Sequence, residues 1–160
     1  MKPTTTCILE AAGYQATFEL LGLDEEGYIH YNLGFLLEPS LGTVTLQSTA
    51  SSIAARDLEG LLDYLEEHMS QLVSNPDREA DVFVEYELGF QLQAFAGEAS
   101  DDSTEGDFSI RFLVNAGRAK EDANDDIGTS VYVGAESTIS FSKVRGFISC
   151  MRSALDNMKR

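Results

Sequence analysis

The sequence predicts an α+β fold: a mainly antiparallel sheet of about six to seven strands, with two amphipathic helices (about 56–73 and 142–158) packed on one face. Three observations predict it. Apolar and polar residues alternate in several separate stretches, two other stretches have helical spacing, and the order along the chain is strands, helix, strands, helix. The length of 160 residues fits a single domain spanning 1–160.

The strands before the first helix are predicted from alternation. Apolar side chains occupy every second position in 14–20 and again in 29–37, and shorter runs occur at 8–9 and 44–46. Successive side chains of a strand point to opposite faces of a sheet, so this pattern is typical of half-buried antiparallel strands.

Two segments change to helical spacing. In each, apolar residues recur at i, i+3, i+4, i+7, i+11 and i+14, which places them on one stripe of a helix. The stripes consist of Leu58, Leu61, Leu62, Leu65, Met69 and Leu72, and of Val144, Phe147, Ile148, Met151, Leu155 and Met158. Ser142 is the predicted N-cap of the second helix, and Asn75 with Pro76 closes the first.

The strands after the first helix show the same alternation. The clearest run, 82–94, predicts one long strand in which Gly89 marks a bulge or bend. Further strands are predicted at 108–114 and from 131 to 141. Two acidic stretches of low hydrophobicity, 97–107 and 115–128, are predicted as loops.

Two pairs of segments resemble each other within the chain. The start of each predicted helix shares a spacing of apolar residues and one glycine, Gly60 or Gly146, at an offset of 86 residues. The segments 31–37 and 86–92 share a Tyr-x-Leu-Gly-Phe-x-Leu pattern, but at an offset of 55. Because the offsets differ, the sequence does not predict a tandem duplication.

The charge balance excludes some partners. Asp and Glu number 27 against 11 Lys and Arg, giving a net charge of −16 and a pI near 4.2. This argues against binding nucleic acid or an anionic membrane through a basic surface. Residues 1–110 hold 21 acids and 3 bases, whereas residues 111–160 hold 6 acids and 8 bases.

The two cysteines and the N-terminal segment bear on location. Cys7 and Cys150 are 143 positions apart and show no metal-binding spacing, which predicts two reduced structural thiols; a disulfide between the chain ends would require export. The first residues contain no apolar core of a signal peptide, and no apolar run reaches the roughly 18 residues of a membrane span. We therefore expect a cytoplasmic protein.

Residues suited to catalysis are few. Neither His30, on the wetter side of a strand, nor His68, on the flank of the first helix, belongs to a recognisable motif. The sequence therefore predicts no enzyme, no catalytic residues and no cofactor. An enzyme of unfamiliar type stays open as an alternative, and it would use an acid pair such as Glu85 and Glu87.

The spacing of acidic residues in the two predicted loops does not match that of an EF-hand calcium site. In the first acidic loop Asp101 would be position 1 of an EF-hand-like loop, but position 12 would then be Phe112, where a bidentate Glu is needed. In the second loop Gly128 falls at position 7 instead of position 6 when counted from Asp122. No metal site is predicted.

Acidic side chains form the candidate binding surface. On the first helix the acids lie opposite the leucine stripe, and a second group lies in the first acidic loop. The predicted partner-binding residues are Glu59, Asp63, Glu66, Glu67, Asp101, Asp102, Glu105 and Asp107. The competing interpretation is that these acids are solvated, and that those of the first helix pair with Lys143, Arg145, Arg152 and Lys159 of the second helix.

The chain resembles the WapI-like immunity proteins of bacterial polymorphic-toxin systems. The resemblance rests on N-terminal strands with a Tyr-rich segment (28–33), a helix that begins Asp-Leu-x-x-Leu-x-x-x-Leu (57–65), further strands and a closing helix. This sequence differs in lacking tryptophan and in having a longer acidic insertion (98–107). The resemblance implies a non-catalytic inhibitor that binds and blocks a toxin, often a nuclease.

The leading functional hypothesis is therefore a protein-binding module, an acidic immunity-type inhibitor of a basic toxin or nuclease. Such a module would be a monomer or a weak homodimer, with a basic protein as its partner. The first alternative is a secretion-type chaperone, which would be dimeric and would bind an unfolded client in an exposed apolar groove. A domain with no assignable biochemical role is the remaining alternative.

Overall fold

Two antiparallel sheets and two helices make up the part of the chain that the structure, a computed structural model, describes: residues 4–48, 50–85, 89–117 and 131–160. The first sheet contains β1 (Thr5–Ala11), β2 (Tyr14–Leu23), β3 (Tyr28–Leu37), β4 (Thr45–Gln47) and β5 (Ser51–Ala54). The second contains β6 (Phe83–Val84), β7 (Phe90–Ala99), β8 (Gly106–Asn115) and β9 (Tyr132–Ser140). The helices are α1 (Ala55–Gln71) and α2 (Phe141–Met158).

The predicted α+β class, antiparallel pairing and two helices are confirmed, but the single sheet is wrong. The described residues form two sheets with nine strands. One cause lies in the run 82–94, which is not one strand. Phe83 and Val84 form β6, and the chain then reverses so that Phe83 pairs with Leu92 of β7. The inward side chain of β6 is Phe83, at an odd position, whereas Val82 and Val84 are exposed, so the even-numbered alternation of the sequence does not locate the turn.

Both helices lie within two residues of their predicted bounds, and one cap differs. Ser140, not Ser142, is the N-cap of α2, and its Oγ accepts a hydrogen bond from the backbone N–H of Lys143. The helix begins earlier because Phe141 is buried in the core and joins the apolar stripe one turn ahead of Val144. The N-cap of α1 is Ala54, which offers no side-chain oxygen.

The two halves of the described chain repeat one order of elements. A meander of β1, β2, β3 and β5 leads into α1, and a meander of β6 to β9 leads into α2. Ile53 and Ile139 stand two residues before the helices, and both are buried. The offset of 86 residues seen in the sequence therefore marks equivalent strand-to-helix junctions. Differing strand and loop lengths elsewhere shift the register, so the sequence match does not extend further.

The inner faces of the two sheets meet in one aromatic core. The ring centroid of Phe18, in β2, lies 5.4 Å from that of Phe90, 5.9 Å from that of Phe112 and 5.5 Å from that of Phe147. These partners belong to β7, β8 and α2, so one side chain joins both sheets and a helix. Most apolar positions predicted by alternation lie in this core, but Val82, Val84 and Val131 are exposed.

A disulfide between Cys7 and Cys150 corrects the prediction of two reduced thiols. It joins β1 to α2, with the Cα atoms 5.8 Å apart. The helix follows the second sheet along the chain but lies against the first, which brings residues 143 positions apart into contact. Sequence spacing could not show this proximity.

His68 lies in the core and not on the flank of α1, so that prediction is wrong. The imidazole is 1% exposed, with Nε2 2.8 Å from the carbonyl oxygen of Phe95 and the ring centroid 4.8 Å from that of Phe108. Its position, three residues after Leu65 and seven after Leu61, continues the apolar stripe. By contrast, His30 is exposed as predicted and pairs with Asp24.

Burial of His68 should make stability depend on pH. Desolvation lowers the pKa of His68 in the folded protein. The unfolded chain therefore takes up a proton near pH 6.5, before the folded protein does, and the free energy of unfolding falls as pH decreases below that value. We expect urea midpoints measured at pH 7.5 and 5.5 to differ less for His68→Gln than for the wild type. A difference between the two midpoints that is as large in His68→Gln as in the wild type would contradict this account.

Candidate functional site

The predicted helix acids form ion pairs between the two helices. Lys159 Nζ lies 2.6 Å from Glu59 Oε1, and Arg152 Nη2 lies 2.8 Å from Glu66 Oε2 and 3.4 Å from Asp63 Oδ1. The pairing runs in opposite directions along α1 and α2, so the helices are antiparallel. Their charges are thus engaged within the molecule.

The ion pairs also change the electrostatics of this face. Hydrogen bonding to Glu66 raises the pKa of Arg152, and hydrogen bonding to Glu59 raises the pKa of Lys159, so both cations stay charged. Glu67 accepts a hydrogen bond from Gln71 Nε2 at 2.7 Å. With two cations among four acids, the helix face offers less free negative charge than the sequence implies.

The acids of the first loop lie on a short hairpin between β7 and β8. The hairpin loop spans only 100–105, shorter than the predicted 97–107, because β7 continues past a bulge to Ala99. Asp102 Oδ1 accepts hydrogen bonds from Thr104 Oγ1 at 2.7 Å and Ser100 Oγ at 2.8 Å. These bonds, the one from Thr104 foremost, lower the pKa of Asp102 to about 2, so its carboxylate is ionised at neutral pH.

Arg145 of α2 holds this loop without neutralising it. The guanidinium donates to the carbonyl oxygens of Ser103 and Thr104, and it lies 5.6 Å from the ring centroid of Phe141. Its described hydrogen bonds therefore go to backbone oxygens. Four carboxylates of the loop region are exposed. They are Asp101, Asp102, Glu105 and Asp107.

The structure does not bring the two predicted sets of acids together. The helix acids pair with Arg152 and Lys159, in the C-terminal half of α2 and at its C-cap. The loop is bound by Arg145, in the second turn of the same helix. The two sets therefore lie towards opposite ends of α2 and do not form one cluster.

A groove that no sequence pattern predicts lies between the edges of the two sheets. It has a volume of about 690 Å³ and lies where the first turns of α1 face the ends of β5 and β6. Ligand-binding cavities in proteins have volumes of roughly 300–1,000 Å³. The groove is lined by Tyr28, Ala54, Arg56, Asp57, Gly60, Tyr64, Phe83, Val84 and Glu85.

Glu85 contributes a buried carboxylate to this groove. Its Oε1 atom accepts hydrogen bonds from the backbone N–H of Gly89 at 2.5 Å and from Tyr31 Oη at 3.2 Å. The sequence places Glu85 on the polar face of the predicted strand 82–94, and no local pattern signals its burial. Glu87, the other half of the hypothetical acid pair, lies outside the described residues.

Tyr64 forms one wall and is fixed in place. Its hydroxyl donates to the carbonyl oxygen of Asp81 and accepts from the N–H of Ala94, both at 2.9 Å. Burial raises the pKa of this phenol, which therefore stays neutral. Tyr64 precedes Leu65 and lies at the border of the apolar stripe of the helix. At such a position the sequence pattern does not show whether a side chain is part of the core or lines a groove.

The described residues hold neither a metal-binding cluster nor a membrane-spanning helix. No group of three or more His, Cys, Asp or Glu side chains is placed to hold a metal ion there, and the acidic stretch 122–128 lies outside that part of the chain. Neither of the two helices is long and apolar enough to cross a membrane.

Comparison with known proteins gives no relative: no family model, no curated protein and no solved structure matches this chain. The resemblance to WapI-like immunity proteins therefore stays a prediction.

Proposed function

We propose that this protein is a non-catalytic binding module, an acidic immunity-type inhibitor that docks on a basic toxin or nuclease. One observation supports the choice of docking element. The β7–β8 hairpin presents four exposed carboxylates, three on a loop fixed by its own hydrogen bonds and one, Asp107, at the start of β8. The guanidinium that contacts the loop binds backbone oxygens. The helix acids are engaged with Arg152 and Lys159 and are secondary candidates.

The physical basis of the proposal is electrostatic complementarity. A nuclease must hold phosphate groups, so its active surface is basic. An ordered acidic loop on a protein with a net charge of −16 attracts such a surface at long range and competes for the same cations. Ordering the loop before binding also lowers the entropic cost of association.

Charge reversal separates the loop from the helix. In the loop variant, lysine replaces Asp101, Glu105 and Asp107. Asp102 is kept because its hydrogen bonds with Ser100 and Thr104 hold the loop in its conformation. In the helix variant Glu59, Asp63 and Glu66 are replaced, so both carry the same change in net charge. We expect the wild type to capture a basic protein from host lysate and to release it when the salt concentration is raised. The loop variant should fail to capture that protein and should bind it with at least tenfold weaker affinity.

The helix variant should retain that partner but lose stability. Its new lysines would face Arg152 and Lys159, so we expect the urea midpoint to fall relative to the wild type. This outcome would agree with the competing interpretation of the sequence, in which the helix acids pair with cations of the second helix. Equal loss of the partner in both variants would show that only net charge matters.

Oligomeric state distinguishes the main alternative. An inhibitor is expected to be a monomer or weak homodimer in light scattering, whereas an obligate dimer that captures an unfolded client would favour the secretion-type chaperone.

We also propose that the protein is cytoplasmic, and the redox state of Cys7 and Cys150 tests this location directly. Disulfides persist in oxidising compartments and are rare in a reducing cytosol. Thiol labelling of the protein from its native host should find two free cysteines if it resides in the cytosol. Finding none would place it in an oxidising compartment and change the compartment in which the partner must be sought.

A further inference from the structure

The guanidinium of Arg145 is oriented by the fold although its side chain is exposed. Arg145 and Phe141 are four positions apart in α2, so they lie on the same side of the helix. The guanidinium carbon is 5.6 Å from the ring centroid of Phe141, and that ring is 1% exposed and packed in the core. The first turns of α2 therefore hold the guanidinium beside loop 100–105 of the β7–β8 hairpin, here called the docking loop.

Arg145 contacts the docking loop through the backbone at its tip. The guanidinium donates to the carbonyl oxygens of Ser103 and Thr104. Ser103 has a φ of 56°, in the left-handed region that residues with a side chain seldom adopt. Such a conformation persists where surrounding contacts fix it, and the hydrogen bond from Arg145 to the Ser103 carbonyl is one of those contacts.

Thr104 transmits this constraint to Asp102. The N–H and the hydroxyl of Thr104 both donate to Asp102 Oδ1, at 3.1 Å and 2.7 Å, while the carbonyl oxygen of Thr104 accepts from Arg145. Thr104 is therefore fixed from two sides. Because the bonds from Thr104 contribute to the low pKa of Asp102, that pKa reports whether the loop keeps its conformation.

The docking loop also has hydrogen bonds of its own at its base. The N–H of Ser100 donates to the carbonyl oxygen of Glu105 at 2.9 Å, and the N–H of Ser103 donates to that of Ser100 at 2.8 Å. If these bonds were sufficient, Arg145 would be only a surface cation beside an acidic loop. The carbonyl oxygens at the tip, however, are held from α2, so the hairpin and the helix together define the conformation.

We propose that Arg145 is the positioning residue of the docking loop, which it keeps in the conformation that meets the basic partner by holding the carbonyl oxygens of Ser103 and Thr104. The proposal rests on the proposed function for the role of the loop. Its consequence is opposite in sign to the effect of charge. Removing a cation from a protein with a net charge of −16 strengthens its attraction for a basic surface. Releasing the loop weakens binding, because the partner must then order it.

The first experiment measures the loop itself in Arg145→Gln, with Lys143→Gln as the matched control. Lys143 belongs to the same helix, is 53% exposed and pairs with Glu10, so its loss changes the net charge equally without touching the loop. Both side chains are exposed, so both variants should fold. The readouts are a carbon-detected NMR titration of the Asp102 carboxyl and amide hydrogen exchange, both in about 0.5 M salt to screen the missing charge.

These readouts should separate the two variants. In Arg145→Gln the pKa of Asp102 should rise from about 2 towards the ordinary value of an aspartate, and the amides of Ser103 and Glu105 should exchange at least tenfold faster. In Lys143→Gln both should stay at the wild-type values. Wild-type values in Arg145→Gln would overturn the proposal, since the hydrogen bonds at the base of the loop would then suffice.

The second experiment uses the basic protein that the wild type captures from host lysate. We expect Arg145→Gln to bind it at least tenfold more weakly than the wild type although the variant is more negative, and Lys143→Gln to bind it equally or more tightly. Equal or tighter binding by Arg145→Gln would overturn the positioning role while the inhibitor function stands.

The two proposals fail in different ways. If the loop variant of the preceding section retains the captured partner, or if no basic partner is captured, the docking function of the loop is wrong. The titration and the exchange rates then still decide whether Arg145 orders the loop, because neither measurement needs a partner.

Discussion

Replacing Cys7 and Cys150 together by serine is expected to lower the free energy of unfolding by about 5 kcal/mol. The disulfide closes a loop across 143 positions, nearly the whole chain, and so removes many conformations from the unfolded state. Domains of this kind are stabilised by about 5–15 kcal/mol in total, so the loss is a large share. Urea unfolding of the oxidised wild type and of the double variant measures it.

The reductant provides the internal control. Adding dithiothreitol should shift the urea midpoint of the wild type towards that of the double variant and should leave the double variant unchanged. Cys7 is buried and Cys150 is half-buried, and serine replaces each sulfur with little change in volume, so packing contributes less than chain connectivity. If reduction leaves the wild-type midpoint where it was, the two sulfurs are not bonded in the folded protein.

Replacing Phe18 by alanine should cost about 3–5 kcal/mol of stability, the second largest effect that we expect. Phe18 is 2% exposed, and its ring contacts aromatic side chains of both sheets and of α2. Removing the ring leaves a cavity where the two sheets meet. Neither sheet can move to fill this cavity without losing contacts with the other sheet.

Two variants keep this prediction testable. Phe18→Leu retains most of the apolar volume and should cost about 1.5 kcal/mol, so that a folded protein remains for measurement if the alanine variant does not fold. Leu41→Ala removes a leucine that is 65% exposed and should change stability by less than about 0.5 kcal/mol. A loss for Phe18→Ala no larger than that of Leu41→Ala would mean that the sheets do not pack through this ring.

The elements of secondary structure were largely predictable because their signals are local. Alternation located β1, β2, β3 and β8, and helical spacing located both helices to within two residues. The error at 82–94 is instructive. The backbone reverses between Val84 and Phe90, and the inward face changes from odd to even positions, because Phe83 pairs with Leu92. Val82 and Val84 continue the even-numbered apolar pattern in the sequence but are exposed, so the pattern does not reveal the turn.

The candidate site was only partly predictable. The exposed acids of the β7–β8 loop follow from composition, since charged residues next to glycine and serine form solvated turns. The engagement of Glu59, Asp63 and Glu66 does not, because it depends on α2 lying antiparallel beside α1. Burial of Glu85 depends on Tyr31, more than 50 residues earlier in the chain.

By itself, the sequence determined the class of fold, the positions of the helices, the apolar face of most strands and the strong negative charge. Those properties depend on residues within a few positions of one another or on composition alone. Only the tertiary structure decided that there are two sheets, that Cys7 meets Cys150, that helix acids pair with helix cations and that a groove separates β5 from β6. Each of these requires residues distant in sequence to meet, and their proximity is set by how whole elements pack.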